Sequence, residues 1–134
     1  MKKWSIHWFS FWASVLLCCS SASAGYQVMV FYNKYCGHCK SWMETTGQSY
    51  DADAPSRLGG TPPTLRKFDL SQRENYKLYK NLLSAGKLTQ DIPAVPTFVV
   101  VDNDEVEINR TVGAMSKDEF YAFVSSSLQR SETS

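Results

Sequence analysis

Cysteine and histidine are scarce in this 134-residue sequence, with four of the first and two of the second. Cys18, Cys19 and His7 sit near the N terminus, so Cys36, His38 and Cys39 are the only such residues in the rest of the chain. Structural zinc usually draws on four Cys or His ligands, and an iron–sulfur cluster on about four cysteines. Three residues in one tetrapeptide assemble neither. A c-type haem needs Cys-x-x-Cys-His, and the residue after Cys39 is Lys40. No metal and no other cofactor is therefore expected. An excess of one charge is missing too: 14 Lys and Arg stand against 13 Asp and Glu, which argues against a nucleic-acid partner or strong attachment to anionic lipid. Internal repeats are absent.

The longest apolar stretch runs from about Trp8 to Leu17 and is short of the ~20 residues a bilayer span needs. With Lys2 and Lys3 before it and Ala22-Ser23-Ala24 after it, it reads as a secretory signal, residues 1–24, cleaved after Ala24. A retained membrane anchor is one rival. A lipoprotein signal at Leu16-Leu17-Cys18-Cys19 is another, although no small residue precedes either cysteine. Cleavage leaves a single domain, residues 25–134, with 12 basic and 13 acidic side chains once Lys2 and Lys3 are gone. A chain of this size buries a core without cross-links, and no membrane association is expected after cleavage.

What is present is "YCGHCK", residues 35–40. A disulfide across two residues closes too small a loop to remove much chain entropy, so a purely structural bridge explains little. Two thiolates suit copper(I), which keeps a copper carrier open. The other reading is a redox pair that alternates between dithiol and disulfide.

The surrounding pattern supplies the scaffold. Tyr26 to Tyr32 is an almost continuous apolar, β-prone run, as in a buried strand. From Gly37 to about Gly47, Cys39, Trp42, Met43 and Thr46 share one face of a predicted helix. The stretch from 48 to 63, with "DADAPSRLGGTPP", predicts a long loop. Leu65 to Asp69 reads as a strand. Ser71 and Glu74 have capping-box spacing before a helix whose face carries Tyr76, Tyr79, Leu82 and Leu83, with Gly86 as its stop. Residues 97–101, "TFVVV", predict a strand, and Asp102-Asn103-Asp104 a turn. Val106, Ile108, Arg110 and Val112 then alternate as a strand with one exposed face. Ser116 and Glu119 form a second capping box, with Met115 and Phe120 at staple positions. The order β-α-β-α-β-β-α predicts an α/β fold with a four-stranded mixed sheet flanked by helices.

This order, with Cys-x-x-Cys between the first strand and first helix, resembles the thioredoxin superfamily over nearly all of residues 25–134. "VFYNKYCGHCK" is similar to the active-site strand and turn of thioredoxins, and its Cys-Gly-His-Cys to that of protein disulfide isomerases. "VPTFVVVDNDE" resembles the segment where the family places a cis-proline beside the cysteines, here Pro96. "RTVGAMSKDEFYAFV" resembles the last strand, glycine and helix. A weaker likeness, through "PTFVVVD" and the long loop, is to small periplasmic thioredoxins that accompany sulfur-oxidation systems. Four departures stand out: no extra N-terminal strand and helix, Val30 where the family often buries an acid, Tyr35 for the usual tryptophan, and a longer loop at 48–63.

The resemblance implies a periplasmic thiol–disulfide oxidoreductase acting on protein or small thiols and disulfides, with an electron donor or acceptor yet to be found. Cys36, at a helix start, would be the nucleophile. Cys39 would be the resolving thiol, and a protonated His38 would stabilise the Cys36 thiolate. Val95 and Thr97 would offer backbone groups to substrate, with Pro96 and Tyr35 beside them. Asp69, Glu44 and Lys67 are candidates for moving a proton from Cys39, with solvated surface as the ordinary reading of each. His38 and Val30 together place the potential above the roughly −270 mV of thioredoxin and nearer the roughly −180 mV of protein disulfide isomerase. The alternative is a binding module, a copper(I) carrier or assembly factor that uses the same fold without turnover. Intact-mass measurement of the exported protein should show a chain starting at Gly25; retention of Cys18, or lipid on Cys19, would contradict that.

Overall fold

A computed structural model describes residues 25–133. The expected leader, residues 1–24, lies outside the described residues. The elements are β1 (Gln27–Tyr32), α1 (Gly37–Trp42) continuing into a π-turn (Met43–Gly47), α2 (Tyr50–Leu58), β2 (Thr64–Asp69), α3 (Arg73–Ser84), β3 (Thr97–Val101), β4 (Glu107–Val112) and α4 (Lys117–Thr133). They form an α/β fold around a four-stranded mixed sheet of order β2-β1-β3-β4. β1 runs parallel to β2 and antiparallel to β3, and β3 is antiparallel to β4.

β1 and β3 are apolar at nearly every position because both of their faces are covered. Alternation along β1 sends Val28 and Val30 to one face and Met29 and Phe31 to the other. The first face packs with Trp42, Tyr50, Phe98, Phe120 and Val124 beneath α1, α2 and α4. The second packs with Phe68, Tyr79, Leu88, Val99 and Val101 beneath α3. Trp42 centres the first core, its ring 4.9 Å from Phe98 and 5.1 Å from Phe120 between centroids.

Three expectations are corrected. The stretch predicted as a loop holds α2. Pro55 lies inside that helix and removes an N–H from it, which local propensity counts against. Contacts with α4 outweigh this. Tyr50 and Ala54, one turn apart, are buried, and Tyr50 stacks on Tyr121 at 6.0 Å. Lys117 bonds Asp53 at 2.9 Å, and Arg57 bonds Asp118 at 2.9 Å. Gly59, at φ +73°, ends the helix.

Ser71 does not cap α3. The helix starts at Arg73 with Gln72 as N-cap and no side-chain cap bond. The Ser71 hydroxyl instead donates to Asp69 Oδ1 at 2.7 Å, a charged and stronger acceptor. The second capping box does form: the Ser116 N–H donates to Glu119 Oε1 at 2.9 Å, and the Glu119 N–H to Ser116 Oγ at 3.1 Å.

In β4 the simple alternation breaks. Asn109 pairs with Val100 but Glu107 pairs with Val101, so Ile108 is an extra residue, a β-bulge. Ile108 packs on the Trp42 core. Glu107 and Arg110, opposite Val101 and Val99, both turn to the other face.

The π-turn brings Trp42 and Gly47 together. A β-carbon at Gly47 would stand 2.8 Å from the Trp42 ring and 3.1 Å from Met43 sulfur. Gly47→Ala should therefore overpack the core and cost about 1–3 kcal/mol in urea unfolding. Gly37→Ala, with nothing within 4 Å of the new atom, should leave stability unchanged or slightly raised.

Candidate active site

The turn after β1 is made by local bonds. Asn33 Oδ1 accepts from the Tyr35 N–H at 2.9 Å, and the Asn33 carbonyl accepts from the Cys36 N–H at 2.9 Å. Cys36 thus lands at the N-cap of α1 in extended conformation, with its sulfur accepting from the Cys39 N–H at 3.4 Å.

Cys36 is partly exposed and Cys39 is buried, and both are free thiols. One helical turn separates them, yet their acidities diverge. The Cys39 thiol, then the Cys39 N–H, and to a smaller extent the His38 N–H donate toward Cys36 sulfur and hold its thiol below the ordinary value. Donors to a thiolate favour it over the thiol. Burial pushes Cys39 up to about 11, and the Cys36 side chain and the Asp69 charge push the same way, against a bond from the Asn33 backbone.

Asp69 is the acid that sequence reasoning undervalued. It ends β2 opposite Tyr32, the last residue of β1, and is 8% exposed. Paired residues of adjacent strands face the same way, so Asp69 shares the face of Val30 and of the buried Cys39. Burial works against its charge. The Ser71 hydroxyl, the Ser71 N–H and the Lys34 N–H outweigh that and hold the carboxyl below its usual range. Tyr32, between the two, has its hydroxyl pKa raised by burial, then by Asp69 and Cys39. The sequence signal was available: two parallel strands that end level place their last residues side by side.

The other expected residues divide. Tyr35 is 79% exposed beside Cys36. His38 is exposed, and among the influences on Cys36 its backbone N–H appears while its ring does not. Thr97 pairs with Phe31 of β1 and Val112 of β4, so Pro96 and Val95 continue back past the end of β1 toward the cysteine turn. The Val95–Pro96 bond is cis. Pro96 is buried, and its carbonyl accepts from the Gly113 N–H at 2.8 Å. Thr97 is the third of these expected substrate-facing residues. It is fully buried between two strands, and its hydroxyl donates to the Ala94 carbonyl at 2.6 Å. Among the described residues, only Val95 of the three has no backbone hydrogen-bond partner. Glu44 and Lys67 are exposed, in line with solvated surface. No group of His, Cys, Asp and Glu suited to a metal occurs among the described residues.

The fold is thioredoxin-like, with a Cys-x-x-Cys pair, Cys36 and Cys39, at the position where β1 gives way to α1. Among solved structures it is similar to the reduced periplasmic thioredoxin SoxS from Paracoccus pantotrophus, with TM-score 0.60 and 17% identity over 79% of this chain and 98% of that one. It is also similar to the germline-specific thioredoxin Deadhead from Drosophila melanogaster, with TM-score 0.55 and 22% identity over 78% of this chain and 83% of that one. No protein-family profile and no curated protein matches the sequence. At these identities the likeness is one of fold.

Iodoacetamide titration should find two well-separated thiols. Cys36 should react with a midpoint below the ordinary cysteine value, and Cys39, kept raised by burial and Asp69 once Cys36 is capped, with a midpoint above it. Asp69→Asn removes a negative charge that raises Cys39, so the Cys39 midpoint should fall; an unchanged midpoint would show that the carboxylate does not reach the thiol.

Proposed function

We propose that the protein is an exported thiol–disulfide oxidoreductase that works in the periplasm on protein or small thiols and disulfides through Cys36 and Cys39. The observation that carries this reading is the split between the thiols: one accessible and acidic, the other buried, protonated and one turn away. The chemistry needs that split. The Cys36 thiolate attacks a substrate disulfide, forming a mixed disulfide and releasing one substrate thiolate. Cys39 then gives up its proton and attacks Cys36 sulfur, which closes the Cys36–Cys39 disulfide and releases the second thiolate. Two electrons pass to the substrate, and a dithiol donor restores the pair. The reverse sequence oxidises a substrate dithiol.

When Cys36 is tied up in the mixed disulfide, its thiolate charge is gone and with it part of what raises Cys39. Burial and Asp69 remain. Resolution therefore still calls for a proton to leave Cys39, and it accelerates as pH rises.

The low Cys36 pKa favours the reduced form and makes the disulfide a better oxidant. This supports a disulfide more oxidising than one between two ordinary cysteines, and equilibration with glutathione places its potential against the roughly −270 mV of thioredoxin. The donors that produce it are the Cys39 thiol and the backbone N–H groups of Cys39 and His38 at the helix start. Export rests on the basic and apolar leader pattern of residues 1–24, and the similarity to a periplasmic thioredoxin is in keeping with it.

Reduction of insulin by dithiothreitol should be accelerated by the wild-type protein and not by Cys36→Ser. Cys39→Ser should accumulate mixed disulfides with substrate, because the resolving step is lost. Equal trapping by both variants would reverse the assigned roles. Tight copper(I) binding by a reduced protein that turns over no disulfide would replace the enzyme reading with the carrier.

A further inference from the structure

Residues 86–96 carry the chain from α3 to β3 and lead directly into Val95–Pro96. The segment has no strand partner of its own, yet much of its backbone is fixed, chiefly by two residues of β4. The Glu107 N–H donates to the Lys87 carbonyl at 2.8 Å. The Thr89 N–H donates to Glu107 Oε1 at 2.8 Å. Arg110 donates from Nη2 to the Gln90 carbonyl and from Nη1 to the Asp91 carbonyl, each at 2.9 Å. Arg110 also grips Glu107 with both arms, Nε to Oε2 at 2.7 Å and Nη2 to Oε1 at 2.8 Å.

Residues three apart on a regular strand point to opposite faces. Here the bulge at Ile108 brings Glu107 and Arg110 to one face, and the pair is buried there, with side chains 5% and 11% exposed. Such a pair is poorly explained as a source of stability, since apolar residues of similar size often serve a core as well or better. Its geometry is informative instead. A planar guanidinium with five donors in a fixed fork meets a carboxylate and two backbone carbonyls at once, which a lysine or an apolar residue cannot do.

The bonds stop short of the cysteine turn. Downstream, the Thr97 hydroxyl fixes the Ala94 carbonyl and the Gly113 N–H fixes the Pro96 carbonyl. Val95 lies between these anchors with its own N–H and carbonyl unpaired among the described residues. We propose that the buried Arg110–Glu107 pair is a positioning device for substrate: it sets the path of residues 87–91 so that the free backbone edge of Val95 stands where an extended segment of a protein substrate is gripped while its disulfide meets Cys36. This rests on the oxidoreductase reading above. Neither residue touches the reacting sulfurs; both act through Val95.

The test separates substrates that use a backbone edge from those that do not. Arg110→Lys keeps the charge and loses the fork. Glu107→Leu with Arg110→Met removes both charges together, so no buried charge is left alone to unfold the protein. In both variants kcat/KM for a protein disulfide such as insulin should fall on the order of tenfold, carried by KM. Reaction with glutathione disulfide and the pH midpoint of Cys36 alkylation should stay at wild-type values. Equal losses on the protein and the small disulfide, or wild-type kinetics on insulin in the double variant, would overturn the proposal while leaving the oxidoreductase reading in place. A wild-type protein inactive on both disulfides would overturn that reading and this one with it.

Discussion

Burial of β1 on both faces is the constraint from which the rest of the molecule follows. Each of Val28, Met29, Val30 and Phe31 is fully buried, two on either side of the sheet. A slip of one residue would exchange the two sets and place each in a core shaped for the other. Register with β2 and β3 is thereby fixed together, and the strand ends at a determined place. Tyr32, its last residue, has Asp69 on one side. On the other, β3 begins just short of it at Thr97, opposite Phe31. The cysteine turn begins where the strand can no longer be covered.

Chemical asymmetry in the pair grows from that placement. One turn of helix carries the chain from the rim of the sheet down onto the Trp42 core, so Cys36 stays near water while Cys39 enters the apolar layer. Backbone N–H groups face the first thiol, and a carboxylate's field reaches the second. The difference arises without a buried acid on β1 itself. Val30 leaves that site apolar, and Asp69 supplies a charge from the neighbouring strand.

How much was legible in the sequence depended on the range of the forces involved. β1 and β3 are read correctly because a strand buried on both faces must be apolar along its length. The Ser116–Glu119 cap is read correctly because its partners lie within one helical turn. Cys36 and Cys39 are set by their spacing and by the turn that precedes them. α2 escaped because Pro55, Asp51 and Asp53 look like loop residues, and the helix is held by Tyr121, Lys117 and Asp118, which reach Tyr50, Asp53 and Arg57 from more than 60 positions away. Ser71 has the spacing of a cap, but Asp69 competes for its hydroxyl. The bulge at Ile108 is invisible to an alternation rule that has no means of counting an extra residue. The place of Thr97 as the first residue of β3, between β1 and β4, is set by pairing with residues far off in the chain.

The same bulge bears on how copies of the protein meet. β2 and β4 form the two open edges of the sheet, and an open edge is a template for pairing with a second chain. On β2 the exposed Lys67 sets a positive charge along the edge, a common protection. On β4 the regular run of amide and carbonyl groups is interrupted at Ile108, where the extra residue bends the strand and increases its local twist. A flat neighbouring strand pairs poorly across such a bend. An irregularity of one residue thus makes that stretch of the edge a poorer template for a second chain.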